Sequence, residues 1–238
     1  MKIKIAIPSY KRAEQIASLT LKLIDTEIFD VYVFVRQEET YTYQEHCPDA
    51  TVVWTDAIGI TPTRNAILDY FQEGDKVLML DDDIKSVKFL FKDKLQKLNK
   101  EQITKLIIRE FDKCEKQGLK MWWIYPIANN FFMSSKYNTK CFIIWTFAGI
   151  INTELRFDET LTLKEDYDYS LQHIFTYGWV LRNNSVAVEA IHYTNKWWCV
   201  DYRDKNREQI AINILKKKWW TIIRDNSKRE NEILLNLK

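Results

Sequence analysis

The stretch Lys76-Val77-Leu78-Met79-Leu80-Asp81-Asp82-Asp83 decides how this chain is read. A short apolar run closed by three carboxylates is a buried strand with an acidic end. Buried strands of this kind sit in parallel sheets whose faces are covered by helices. Upstream, Lys2 to Pro8 (KIKIAIP) is a β-branched run ended by proline, Val31 to Val35 (VYVFV) is a second buried strand, and Thr51 to Trp54 is a short third. Between them, Lys11 to Asp25 places Ile16, Leu19, Leu23 and Ile24 near helical spacing. Thr61-Pro62 reads as a helix start, with Thr61 as N-cap and Pro62 at the first turn; the helix runs through Ala66, Ile67 and Phe71 to Gly74. This alternation predicts an α/β fold with a mostly parallel, doubly wound sheet. Ligands on such sheets bind beyond the carboxyl ends of the strands. Pro8–Arg12 and Asp81–Asp83 both fall there.

Downstream, Lys100 to Gln117 is a polar amphipathic helix, and Met121 to Ile127 and Phe142 to Ile151 are aromatic-rich strands. Lys164 to Tyr177 is a helix stopped by Gly178, Ser185 to Ile191 is a strand, and residues 205–224 form a basic helical tail. The chain of 238 residues has only 5 glycines and 4 prolines, too few for a sandwich or barrel with many tight turns. Aromatic residues make up 14%, an excess that serves a core or stacks on ligand rings.

The net charge is +2, which excludes a chain-wide basic field for nucleic acid. The charge is uneven, however: residues 205–238 carry nine Lys or Arg against four Asp or Glu. The four cysteines, Cys47, Cys114, Cys141 and Cys199, form no CxxC pair and have no histidine at zinc-finger spacing, so reduced thiols are expected. The opening MKIKIAIPSYKR lacks a signal-peptide pattern, and the longest apolar stretch, Cys141 to Ile151, is too short to span a bilayer as a helix. A soluble, cytoplasmic protein is expected.

Four places carry candidate chemistry. On a strand, alternate side chains share a face, so Asp81 and Asp83 are expected to point together and Asp82 away. Two carboxylates on one face repel unless a cation lies between them, and hard ions such as Mg²⁺ or Mn²⁺ suit them; a solvated acidic turn is the plainer reading. Thr162 and Glu165 have capping-box spacing at the start of Glu165-Asp166-Tyr167-Asp168. That segment is either a well-capped helix or a carboxylate kept ionised to accept a proton. Arg64-Asn65 opens a helix, where an arginine can pair with phosphate or lie on the surface. His192 follows the strand SVAVEAI and has a structural or a metal-binding role, the latter if it comes near the aspartates. Walker, GxGxxG, GxSxG and HExxH patterns are absent.

In order, these elements resemble a nucleotide-sugar glycosyltransferase of the GT-A fold over residues 3–192. IPSYKR looks like the first nucleotide-binding turn of that superfamily. GITPTRNAI followed by VLMLDDD looks like the inverting family-2 pattern of an Arg-Asn helix before the DxD motif. Gly149 in Phe147-Ala148-Gly149 matches a glycine loop near the sugar, Glu165-Asp166 the xED motif, and His192 a C-terminal histidine ligand. The resemblance implies that Asp81, Asp83 and His192 hold Mn²⁺ or Mg²⁺. It implies Asp166 as catalytic base, and Pro8, Tyr10, Arg12, Arg64, Asn65, Asp81, Asp82, Gly149 and Glu165 around a UDP-sugar. It also implies a GT-A domain over residues 1–204, with 1–85 as the nucleotide half and 86–204 as the acceptor half, and a tail, 205–238, packed on it.

One departure stands out. Many members carry an acidic pair after the second strand to read the base; here the strand leads to Val35-Arg36-Gln37-Glu38-Glu39, where Gln37 or Glu38 could substitute. The VFVxxEE look is similar to the glycosyltransferases associated with TET/JBP oxygenases, a group of base J and bacteriophage enzymes that glycosylate hydroxymethylated pyrimidines such as 5-hydroxymethylcytosine in DNA. The resemblance implies a DNA acceptor in a phage-infected or bacterial cytoplasm, with Trp197, Trp198, Lys216, Lys217 and Lys218 as contacts. For the tail, a solvated basic face with core-anchored tryptophans is the alternative. A cell-envelope glycan, polysaccharide or protein is the competing acceptor, and a non-catalytic nucleic-acid binding module the competing class.

Overall fold

The structure is a computed structural model that describes residues 2–191 and 205–236. The first half alternates as the apolar runs dictate. Strands β1 (Lys4–Pro8), β2 (Asp30–Val35), β3 (Thr51–Trp54) and β4 (Lys76–Leu80) are joined by helices α1 (Ala13–Ser18), α2 (Thr40–His46) and α3 (Ile60–Tyr70). The four strands lie in the order β3-β2-β1-β4, all parallel. Burial on β1 and β4 is nearly continuous, as expected where both faces are covered.

The second half mixes directions. After the acidic turn come β5 (Ile84–Phe91), β6 (Lys94–Lys97), α4 (Lys100–Lys116), β7 (Met121–Tyr125), β8 (Tyr137–Asn138) and β9 (Phe147–Ile151). Then follow α5 (Glu165–Tyr177), β10 (Leu181–Ala190), α6 (Lys205–Trp219), β11 (Ile223–Asp225) and β12 (Ile233–Leu235). The sheet continues from β4 through β9, β7, β10 and β5 to β6, with β8 on β10; β11 and β12 form a separate hairpin. Strand β9 runs antiparallel to both β4 and β7, so β7 runs parallel to β4 and their carboxyl ends share one edge. Strand β10 is parallel to β7 and brings its carboxyl end to the same side. The result is the expected mostly parallel sheet flanked by helices, with antiparallel insertions.

Several local expectations change. The segment from Lys11 to Asp25 splits into α1 and a 3₁₀ turn at Thr20–Leu23. The reason is local: Thr20 turns inward, donating its hydroxyl to the Asp81 carbonyl and accepting from the Ile84 N–H. Thr61 is not an N-cap; α3 starts two residues earlier than expected, at Ile60, with Gly59 as N-cap at a φ of +94° that favours glycine. Thr162 and Glu165 form no capping box, because Lys164 in a left-handed conformation is the N-cap of α5. Strand β9 begins at Phe147 instead of Phe142, since Phe142 leaves the sheet line to stack on Tyr167 with ring centroids 4.2 Å apart. The tail helix ends at Trp219 and gives way to the β11–β12 hairpin.

Cys47, Cys114 and Cys141 are buried free thiols; Cys199 lies outside the described residues. Among the described residues, no helix is long and apolar enough to cross a membrane.

Candidate functional site

The carboxyl edge of the sheet gathers most of the singled-out residues. Strand β4 ends at Leu80, so the three aspartates form a turn and the strand alternation expected for them does not apply. Asp81 stays in line with the sheet, its N–H donating to the Thr146 carbonyl at 3.1 Å. Its carboxyl is pushed up to about 7, first by burial and then by Asp83 and Asp82, against the opposing pull of Arg64.

Asp82 turns inward and is buried. It accepts from the Ser9 hydroxyl at 2.6 Å and pairs with Arg12 at 2.8 Å. Ser9 also shares a hydrogen bond with the Tyr43 hydroxyl, which accepts from the Arg12 N–H. This network ties the end of β1, α2 and the acidic turn together. Asp82 and Arg12 thus hold each other, and sequence reading missed Ser9 and Tyr43 because their spacing carries no motif. Pro8 is buried at the end of β1 opposite Phe34, and Tyr10 lies under the Lys11 ammonium, 5.0 Å from its ring centroid.

Across the edge stands α5. Arg64 is buried and donates to Glu165 at 2.7 Å, with its guanidinium 4.5 Å from the Trp145 ring centroid. One terminal nitrogen is therefore engaged by a carboxylate and the guanidinium face by an indole, while Nε is buried without a hydrogen bond. Asp166, at the first turn of α5, accepts from the Trp145 N–H at 3.3 Å and the Tyr167 N–H at 2.9 Å. Burial, then the neighbouring Glu165 charge, raises its carboxyl to about 7, while Arg64 and the two N–H groups oppose the shift. Arg64 thus acts on Asp81 and Asp166 alike. Trp145 places its N–H on the Asp166 carboxyl and Thr146 its carbonyl on the Asp81 main-chain N–H, and no sequence pattern marks them.

Two expected site residues have structural duties. Asn65 accepts from the Phe157 N–H and donates to the Phe157 carbonyl and to Glu159, clasping that segment with both ends of its amide. Gly149 lies within the buried β9, opposite Trp122 and Leu78, and a Cβ there would overlap the Trp122 indole. It is a glycine of close packing, inside the sheet instead of on a sugar-facing loop.

At the end of β2, the Glu38 side chain is exposed while Glu39 turns inward. One Glu39 oxygen accepts from the Lys11 N–H at 2.7 Å, and the other is buried without a hydrogen bond.

In the tail, Lys216 pairs with Asp225 and Lys218 with Asp158 and Asp168, so these two lysines act within the fold; Lys217 is exposed. Trp219 donates to the fully buried Asp168 at 2.7 Å and stacks on Phe175. The expectations for His192, Trp197 and Trp198 lie outside the described residues.

Among the described residues, no three His, Cys, Asp or Glu side chains close into a metal cage. The donor set still fits a hard divalent cation: Mg²⁺ is commonly held by one or two carboxylates plus substrate phosphates. A half-buried, raised Asp81 flanked by two further carboxylates is an environment that a cation relieves.

A sequence profile described as TET-Associated Glycosyltransferase matches residues 3–192. No curated protein matches the chain. Among solved structures, a putative glucose-1-phosphate thymidylyltransferase from Bacillus anthracis, solved with sucrose, aligns at a TM-score of 0.51 and 8% identity, covering 88% of this chain and 95% of that one. A 4-diphosphocytidyl-2C-methyl-D-erythritol synthase from Anaerococcus prevotii gives 0.45 and 10%, covering 90% and 99%. Mouse xyloside xylosyltransferase 1 gives 0.34 and 11%, and spans 51% of this chain and 52% of its own. The first of these agrees with the fold described above.

Proposed function

The chain belongs to the TET-associated glycosyltransferase family and is a glycosyltransferase; from that premise we propose that it is a metal-dependent, inverting enzyme that moves a sugar from a UDP-sugar to the hydroxyl of a 5-hydroxymethylated pyrimidine in DNA. The observation that carries this reading is the pairing of two raised carboxyls, Asp81 on the sheet edge and Asp166 at the start of α5, around the buried guanidinium of Arg64.

In this reading Asp166 takes the proton from the acceptor hydroxyl. A carboxylate raised to about 7 is matched to proton transfer near neutral pH. The hydroxyl oxygen bonds to the anomeric carbon from the face opposite the diphosphate. The carbon–oxygen bond to the diphosphate breaks, its electron pair leaves with UDP, and the configuration inverts. Trp145 and Tyr167 hold Asp166 in place through their N–H groups. Arg64 fixes Glu165 and so the first turn of α5. Asp81 and Asp83, with His192, would hold Mg²⁺ or Mn²⁺, which when bound neutralises charge developing on the leaving diphosphate. Arg12 and Asp82 shape the turn beside the nucleotide, and Glu39, with one unbonded carboxylate oxygen, would take the base-reading role expected of Gln37 or Glu38. Residues 1–204 form the transferase unit and 205–238 a segment packed against it.

The test is hydrolysis of a UDP-sugar in the presence of Mn²⁺ or Mg²⁺. Slow release of UDP that depends on the cation is expected, and Asp83→Ala should abolish it. Full activity in that variant removes the aspartates from the metal site.

A further inference from the structure

The hairpin β5–β6 and the loop after β7 form a surface that the donor chemistry leaves unused. Residues 84–100 carry six lysines against one aspartate. Lys85 and Lys88 turn toward Glu189, at 3.8 and 2.9 Å. Lys92 and Lys94 stand exposed at the tip.

The tip is a two-residue turn. Phe91 pairs with Lys94, and Lys92 and Asp93 between them have φ of 46° and 61°. Such turns favour Asn-Gly or Asp-Gly, because left-handed backbone crowds a longer side chain. A lysine there, at the far end of a hairpin, is strain of the kind that gathers at ligand contacts.

The loop between β7 and β8 lies beside this tip, with Asn130 donating to the Asp93 carbonyl at 2.9 Å. It presents Phe131 and Phe132 edge to face, ring centroids 5.0 Å apart, and they are 83% and 58% exposed. Ile127, 61% exposed, begins the loop, and Phe91, 48% exposed, ends β5. Four large apolar side chains on one loop and the neighbouring turn mark a binding surface, not packing. The loop leaves β7 at its carboxyl end and reaches back to the tip; because β5 starts at the acidic turn and runs antiparallel to β10, the tip lies about 23 Å along β5 from Asp83.

We propose that this surface grips the nucleic-acid acceptor: Phe131 and Phe132 enter or cap the base stack while Lys92 and Lys94 hold flanking phosphates. The inference rests on the acceptor reading given above. Aromatic faces beside exposed cations are the chemistry of bases joined by phosphates. A protein partner fits less well, since lysine is depleted at the cores of protein interfaces. At that distance from the acidic turn the phenylalanines would enter a flanking base step and bend the duplex toward the site, as apolar wedges of minor-groove binders do.

The experiment measures binding of a 5-hydroxymethylated duplex by fluorescence anisotropy at several salt concentrations. It compares the wild type, Phe131→Ala/Phe132→Ala and Lys92→Glu/Lys94→Glu. UDP-sugar hydrolysis serves as the control for intact folding and should match the wild type in both variants. The phenylalanine variant is expected to lose about tenfold or more in affinity with an unchanged salt slope. The lysine variant is expected to lose affinity and to flatten the slope by about two. Wild-type affinity in both variants overturns the inference while leaving the acceptor reading standing. A wild type that binds no duplex overturns the acceptor reading itself. Self-association that vanishes in the phenylalanine variant, with duplex binding unchanged, assigns the surface to a second copy of the chain and also overturns the inference.

Discussion

The two faces of the first turn of α5 meet opposite surroundings. On one face Asp166 sits against Glu165 and is raised to about 7, held by two backbone N–H groups. On the other, Asp168 is fully buried yet satisfied by Lys218, Trp219 and Gln172. The residues are two apart and chemically identical. The difference teaches that burial alone does not make a carboxylate reactive. A buried carboxylate supplied with an ammonium is a structural clamp, whereas Asp166, raised first by burial and then by the Glu165 charge with no ammonium bonded to it among the described residues, is poised to take a proton.

The largest effect expected from breaking this contrast is on rate. Asp166→Asn should lower transfer by about 10²–10⁴-fold, the usual range for a general base, with UDP binding retained. Equilibrium binding of UDP beside single-turnover transfer checks both halves. Unchanged transfer would put Asp166 outside the chemistry.

The pH profile sharpens the same face. The base works ionised, so kcat/KM should fall about tenfold per unit as pH drops below about 7. A rate that is flat from pH 5 to 8 contradicts a raised Asp166.

On the clamp face, Asp168→Ala removes the acceptor of a charged hydrogen-bond cluster and should cost about 2–3 kcal/mol of stability. Urea unfolding measures this, and a midpoint equal to that of the wild type contradicts the clamp.

A smaller effect of reversed sign belongs to Asp166. Its folded carboxyl titrates above its unfolded value of about 4. Between those values the native state keeps a proton that the unfolded chain releases, so ionisation lowers stability as pH rises through that window. Asp166→Asn should therefore be slightly more stable than the wild type at pH 8 and no more stable at pH 4. Thermal melts at the two pH values read the difference.

Much of the first half was legible because each of its strands carries one plain signal. KVLML is continuous and apolar, and it ends in charge where β4 ends. The placing of Pro8–Arg12 and Asp81–Asp83 at the carboxyl edge followed from the alternating strands, whereas Asp166 was brought to the site only by the family resemblance. What stayed hidden depends on partners far along the chain. Asp82 finds Arg12 across 70 residues, and Lys218 finds Asp168 across 50. No local pattern separates a lysine that folds inward from one that faces a ligand. The tail looked basic in sequence, yet two of its three consecutive lysines pair within the fold. The equally lysine-rich hairpin β5–β6 went unread because Lys92-Asp93 lacks the glycine or asparagine that announces a two-residue turn. Gly149 carried a motif-like neighbourhood, but its place is set by the Trp122 indole packed against it.

The most direct test of the proposed activity is the mass of a 5-hydroxymethylated duplex after incubation with the protein, Mn²⁺ and a panel of UDP-sugars, beside an unmodified duplex. The expected result is a duplex heavier by one sugar per modified base with at least one donor, and no change in the unmodified strand. No mass gain with any UDP-sugar, while the same protein glycosylates a glycan or protein acceptor, would contradict the proposal.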